Sequence, residues 1–149
     1  MSTDRRVTTD LIETLEDGKD GFNQAADRLA ESDSPDLSTT MRQYADQRAA
    51  FSAELEQLAA NYGDDIDEDG SVGAALHRGW MTVKDAISGS DPKGVLDAAE
   101  QGEDHAVSAY QDALDKQDLS PELRQVIQRQ YADIQKAHDD IKALRAAHR

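Results

Sequence analysis

The sequence predicts an all-α fold, built as two helical hairpins joined by a long connection. Apolar residues recur every three to four positions rather than alternately. Strong helix formers fill the chain, and only 3 of its 149 residues are proline. Landmarks also return in order. Glu16-Asp17-Gly18-Lys19-Asp20 has a counterpart in Glu100-Gln101-Gly102-Glu103-Asp104, Ser34-Pro35-Asp36-Leu37 in Ser120-Pro121-Glu122-Leu123, and Gln43-Tyr44-Ala45-Asp46 in Gln130-Tyr131-Ala132-Asp133. The offsets of 84, 86 and 87 residues are nearly constant, as a duplicated hairpin requires.

The first hairpin is expected over 10–62. Its opening helix should start at Thr9 or Asp10, where Asp10 and Glu13 form a capping pair, and end between Ala30 and Ser32. Leu11, Leu15, Gly18, Phe22, Ala25, Ala26 and Leu29 supply its apolar stripe. Gly18 weakens a helix by about 1 kcal/mol relative to Ala. Its return at Gly102 on the same stripe predicts that a neighbouring backbone comes close. Ser34 as N-cap, with Pro35 in the first turn, opens a second helix over 35–61, and Gly63 stops it. Met41, Tyr44, Ala45, Phe51, Leu55, Leu58, Ala59 and Tyr62 form its inner face. The short turn between the two helices makes them antiparallel.

An acidic run, Asp64 to Gly70, then leads into a shorter helix over 71–88, which has no counterpart in the repeat. Its stripe of Val72, Ala75, Leu76, Gly79, Trp80, Val83 and Ile87 makes Trp80 the expected anchor of a crossover helix. The second hairpin is expected over 92–147. Asp91-Pro92 opens a helix of 92–116 with Val95, Ala99, Gly102, Ala106, Tyr110 and Ala113 inward. Ser120-Pro121 opens the last, 121–147, with Leu123, Val126, Ile127, Tyr131, Ile134, Ala137, Ile141 and Leu144 inward. Lys142, Arg145 and Arg149 complement its dipole. Two hairpins and one long crossover give an antiparallel four-helix bundle of ferritin-like connectivity, with a fifth, shorter helix in the crossover.

Composition bounds function by exclusion. A chain of this length suits a single domain over 1–149. A net charge of −15 argues against nucleic acid and anionic membrane as partners. The absence of cysteine removes disulfides, thiolate nucleophiles and Cys-ligated metal. Arg5 and Arg6 are followed by no apolar h-region, and no apolar run approaches the ~20 residues of a membrane span. A soluble cytoplasmic protein is the expectation.

Three segments together resemble a known family: Leu11-Ile12-Glu13-Thr14-Leu15-Glu16-Asp17-Gly18, Ala75-Leu76-His77-Arg78-Gly79-Trp80-Met81 and Arg129-Gln130-Tyr131-Ala132. They are similar to a bacterial ferritin-like four-helix-bundle family known as a domain of unknown function. The resemblance covers nearly the whole chain, and His77 to Trp80 is its most specific part. It implies a ferritin-like fold and bacterial origin, and carries over no activity and no catalytic residue.

Ferritin-like di-iron proteins place one inward Glu on each of two helices and Glu-x-x-His on each of the other two, because two adjacent metals need several anionic oxygens and two imidazoles. Here Glu103 lies near the centre of its stripe and Glu100 at the edge, while His138 and Gln130 point inward on the last helix. The other half of the constellation is chemically different. By the repeat, Glu103 corresponds to Lys19 and Glu100 to Glu16, and His138 corresponds to Phe51. Three residues before His138 and Phe51 stand Gln135 and Arg48, so neither helix carries Glu-x-x-His. The expectation is that Arg48 or Lys19 pairs with Glu103, with Gln130 and His138 completing a buried polar cluster. Iron or manganese at Glu103, His138, Glu100 and Glu16 is the alternative.

Asp65-Ile66-Asp67-Glu68-Asp69-Gly70 matches the opening of a calcium loop, with Asp65, Asp67 and Asp69 at positions 1, 3 and 5 and glycine at 6. Position 12 is Leu76 where a bidentate Glu belongs, which favours a solvated acidic loop. His77 and His105 fall off the apolar stripes, and no Gly-x-Ser-x-Gly elbow or phosphate-binding glycine loop is present. The expected function is therefore a non-enzymatic bundle with a degenerate metal site and no cofactor, acting by protein interaction or self-association. The rivals are an iron- or manganese-binding ferritin-like oxidase or metal-handling protein, and a calcium-binding module. A homodimer and an unidentified protein partner are both open.

Overall fold

The computed structural model describes residues 3–31, 36–61 and 92–147. They form four α-helices: α1 (Thr3–Ala30), α2 (Asp36–Asn61), α3 (Pro92–Leu114) and α4 (Pro121–Ala147), with no strand among the described residues. The acidic run at Asp65, Asp67 and Asp69, the helix expected over 71–88, and His77 and Trp80 lie outside them.

α2, α3 and α4 begin within a residue of their Ser-Pro or Asp-Pro signals. At α4 the cap geometry is explicit: Ser120 Oγ accepts the Leu123 amide at 3.4 Å and Ser120 O accepts the Arg124 amide at 3.0 Å. The Arg124 guanidinium reaches back to donate to the carbonyls of Leu114 (2.9 Å) and Lys116, which the end of α3 would otherwise leave unpaired.

α1 differs from expectation by starting at Thr3, two turns before Asp10, so the Asp10–Glu13 pair lies inside the helix and caps nothing. Burial decides this. Val7 and Thr8 are each 4% exposed, one turn upstream of Leu11 and Ile12, so the inner stripe continues through a stretch whose polar composition hid it. Asp4 Oδ1 accepts the Ser120 amide at 2.9 Å and ties this first turn to the α3–α4 connection.

Cross-helix contacts give the directions. Asp27 meets Arg42 and Glu16 meets Ser52, so α1 and α2 are antiparallel. Tyr110 meets Gln130 and Asp104 meets His138, so α3 and α4 are antiparallel. Tyr44 meets Asp140 and Glu54 meets Arg129, so α2 and α4 also oppose one another. α1 packs along α2 and α3, α4 packs along α3 and more loosely along α2, and α2 faces α3 across the diagonal. The order is thus up, down, down, up.

The core has two apolar halves. Phe22, Ala25, Leu29, Met41, Ala45, Leu96, Ala99 and Ile141 belong to one; Leu11, Leu15, Phe51, Leu55, Tyr110, Ile127 and Ile134 belong to the other. Between them lie Gly18, Arg48, Glu103 and Ala137, one from each helix and all buried, with Asp17 beside Gly18 and Gly102 beside Glu103 buried as well.

The repeated letters do not carry the same burial. In the first copy Gln43 is exposed and Ala45 buried; in the second Gln130 is buried and Ala132 exposed. The match is out of phase with the inner face, so pairing residues by letters misplaces them around α4.

Gly18 does not mark the approach of a neighbouring backbone. A Cβ there would meet the Arg48 side chain, at 3.7 Å from Cγ and 3.8 Å from Nη1, which is ordinary contact. Gly18→Ala should therefore stabilise the fold by about 0.5–1 kcal/mol through helix propensity, moving the thermal midpoint up by roughly 1.5–3 °C. Thermal and urea unfolding check this, and a lowered midpoint would show that the Arg48 side chain cannot give way.

Candidate functional site

The site is built by α2 and α3 reaching across the bundle axis. Arg48 Nη2 donates to Glu103 Oε2 at 2.7 Å and Arg48 Nη1 to Glu103 Oε1, a bidentate fork between two side chains each 1% exposed. Across the diagonal the long Arg48 side chain reaches the Glu103 carboxylate. Arg48 Nε donates to Gln47 Oε1 at 3.1 Å, and its guanidinium carbon stands 5.2 Å from the centroid of the Phe22 ring. Phe22 is set in turn by a tilted contact with Tyr44, centroids 5.4 Å apart.

A second polar network lies about 10 Å along α4, seven residues before Ala137. Gln130, fully buried, accepts from the Tyr110 hydroxyl at 2.7 Å and donates to Glu54 Oε1 at 2.8 Å and to the Phe51 carbonyl at 3.3 Å. Arg129 holds the other Glu54 oxygen. These side chains span the loosely packed α2–α4 side. Tyr131 stacks beside Tyr110, with ring centroids 6.4 Å apart and planes 9° apart.

The remaining candidate residues do not converge on Glu103. Lys19 pairs at 2.6 Å with Glu16, one turn earlier on its own helix, and its side chain is 35% exposed. An i, i+3 pair near water needs no reach, whereas the planar fork of Arg48 matches a buried carboxylate. Glu16 also accepts from Ser52 Oγ at 3.1 Å. His138 lies beside the buried line of α4 rather than on it, because Ala137 occupies the inward position at that level. Its Nε2 contacts Asp104 Oδ1 at 2.5 Å on the outer edge of α3. Glu100 is held by Arg145, which also pairs with Asp97 at 2.5 Å. Arg145 thus bridges to α3 as well as standing at the C-terminal end of α4. His105 is exposed.

Gln47, Glu54, Asp97, Asp104 and Asp140 are among the participants the sequence did not reveal. Asp97 and Glu100 are spaced i, i+3, the pattern a cation on the next helix can bridge, but nothing local selects Arg145 as that cation. Grooves of about 230 Å³ and 260 Å³ lie on the surface, one between α1 and α3 at Asp10, Asp112 and Lys116, the other at Asp97, Glu100, Asp104 and Arg145. Neither is lined by the axial pair.

Residues 6–116 match the family model described as domain of unknown function DUF2383. The chain belongs to this family. The match contains both Arg48 and Glu103 and stops before α4. No curated protein matches the chain.

In this DUF2383 chain, the donor set on the axis does not fit a metal centre. Glu103 is fully engaged by Arg48, and no three His, Asp or Glu among the described residues are placed to hold an ion. A guanidinium supplies the positive charge that the carboxylate needs in a dry interior, without a redox-active electron. Removing one member of such a pair typically costs about 3–5 kcal/mol, while replacing both by apolar residues of like volume is often neutral or stabilising. Arg48→Ala should thus lose about that much stability in urea, and Arg48→Met with Glu103→Leu should recover most of it. A double variant as weak as the single one would mean that the pair contributes net stability.

Burial drives the Tyr110 phenol far above its ordinary value. Tyr44 is pushed up to about 12, by burial first and then by the charge and hydrogen bond of Asp140. A folded-state value raised above the unfolded one means that the folded chain holds its proton more tightly. The stability contribution of Tyr44 is therefore complete below pH ~10 and lost as pH rises through about 12. Urea midpoints measured from pH 9 to 12 should fall, and Tyr44→Phe should flatten that decline; an unchanged slope would refute the assignment.

Proposed function

We propose that this DUF2383 protein is a non-enzymatic, ferritin-like bundle whose metal positions have been replaced, and that it works through its surface, by protein interaction or self-association. One observation carries this: the position on the axis where a di-metal bundle gathers carboxylates holds the Arg48 guanidinium on Glu103. The other residues that could have served as ligands have partners of their own, Glu16 with Lys19, Glu100 with Arg145 and His138 with Asp104.

The ferritin-like assignment is supported by the up, down, down, up order and by the 30 residues, 62–91, that join the end of α2 to the start of α3 at the opposite end of the bundle. No helix among the described residues is long and apolar enough to cross a membrane, which is compatible with work in the cytoplasm. The calcium alternative rests on Asp65, Asp67 and Asp69, outside the described residues.

Elemental analysis of protein purified without chelator tests the proposal. The expected result is no stoichiometric iron or manganese, and no change in metal content on Glu103→Ala. Stoichiometric metal that disappears with Glu103→Ala would establish the oxidase or metal-handling alternative. Micromolar Ca²⁺ uptake by calorimetry, abolished by Asp67→Ala, would establish the calcium module.

A further inference from the structure

The surroundings of the Arg48 guanidinium make up a binding site in their own right, apart from the tether that delivers it. Glu103, 1% exposed, presents both carboxylate oxygens in one plane. Gln47 Oε1 accepts from the Nε edge at 3.1 Å, the Phe22 ring stands 5.2 Å from the guanidinium carbon, and the α1 backbone at Gly18 leaves the side chain its room. A coplanar pair of acceptors, a third acceptor at the edge and an aromatic ring nearby select a planar, delocalised monovalent cation over a spherical one. A divalent ion would need further anionic or imidazole ligands, and among the described residues no group of three is placed to supply them.

We infer that the bundle axis of this protein is a guanidinium-selective cation cradle, formed by Glu103, Gln47, Phe22 and the α1 backbone at Gly18, which the chain fills with its own Arg48. Once Arg48 is shortened, the cradle takes a free alkylguanidinium. The inference rests on the same axial pair as the function proposed above, and a different measurement decides it.

Arg48→Ala is titrated to 20 mM with methylguanidinium, methylammonium or MnCl₂, and the thermal midpoint is followed. Wild type, whose cradle is full, and Arg48→Ala with Glu103→Gln, which lacks the carboxylate, serve as references. A ligand at tenfold its dissociation constant should raise the midpoint by roughly 4–5 °C in a chain of this size. Denaturant action at 20 mM is negligible beside that. The expected result is a rise with methylguanidinium in Arg48→Ala alone. Should Arg48→Ala be unfolded at the start, the same titration is read as recovery of helical circular dichroism.

Equal rescue by methylammonium would overturn the inference, because charge without shape would then suffice. Rescue by Mn²⁺ would overturn it in favour of a divalent site, and no rescue by any cation would overturn it outright. Micromolar Ca²⁺ uptake abolished by Asp67→Ala would sink the function proposed above and leave this result standing; failed rescue in a metal-free protein would do the reverse.

Discussion

The bidentate pair between Arg48 and Glu103 is the constraint around which the other packing choices are arranged. Both groups are dry, and both come from helices that face each other across the diagonal rather than along a shared seam. Taking two charges out of water costs several kcal/mol per ion after relaxation, which only close, well-oriented contact offsets. The apolar stripes resume on either side of the pair, at Leu15 and Phe22 on α1 and at Ile134 and Ile141 on α4.

The bundle's other polar contacts follow from the same geometry. α2 and α4 pack loosely, so their side of the bundle is bridged by long side chains: Gln130 to Glu54, Arg129 to Glu54, and Tyr44 to Asp140. α3 and α4 lie close, and there the contacts are edge pairs at the surface, His138 to Asp104 and Arg145 to Asp97 and Glu100. Net charge −15 makes cations scarce. Committing a buried arginine to one carboxylate is consistent with a structural use of the axis, since any exposed cation would have found many acidic partners.

Much of the architecture could be read from the residues, for local reasons. The starts of α2, α3 and α4 are written in Ser-Pro and Asp-Pro, signals that act within a few residues. The start of α1 was not legible, because what extends it is the burial of Val7 and Thr8 against other helices. Arg48 and Glu103 were visible as charges on apolar stripes. The placement of Lys19 and His138 was not, since a helical wheel gives a side chain's angle and says nothing of which neighbour lies within reach. Glu16 stands next to Lys19 and Asp104 next to His138, and each captured its residue before the axis could. The four-letter repeat compounded the error: letters match at an offset of 87 residues while the buried positions of α4 follow another phase.

A buried pair that need not stabilise the fold can still specify it. Ala- and Leu-rich helices offer several nearly equivalent ways to slide past one another, since apolar side chains pack tolerably at more than one register. Shifting α2 against α3 by one turn, about 5.4 Å, would carry Arg48 to the level of either apolar half and leave Glu103 behind without its partner. Each uncompensated charge would then cost several kcal/mol, a large part of the total stability of a domain this size. The apolar halves supply the driving force for collapse, while the ion pair excludes the slipped alternatives. The Arg48–Glu103 pair therefore sets how far α2 lies along α3, a restriction that the apolar stripes alone would not impose.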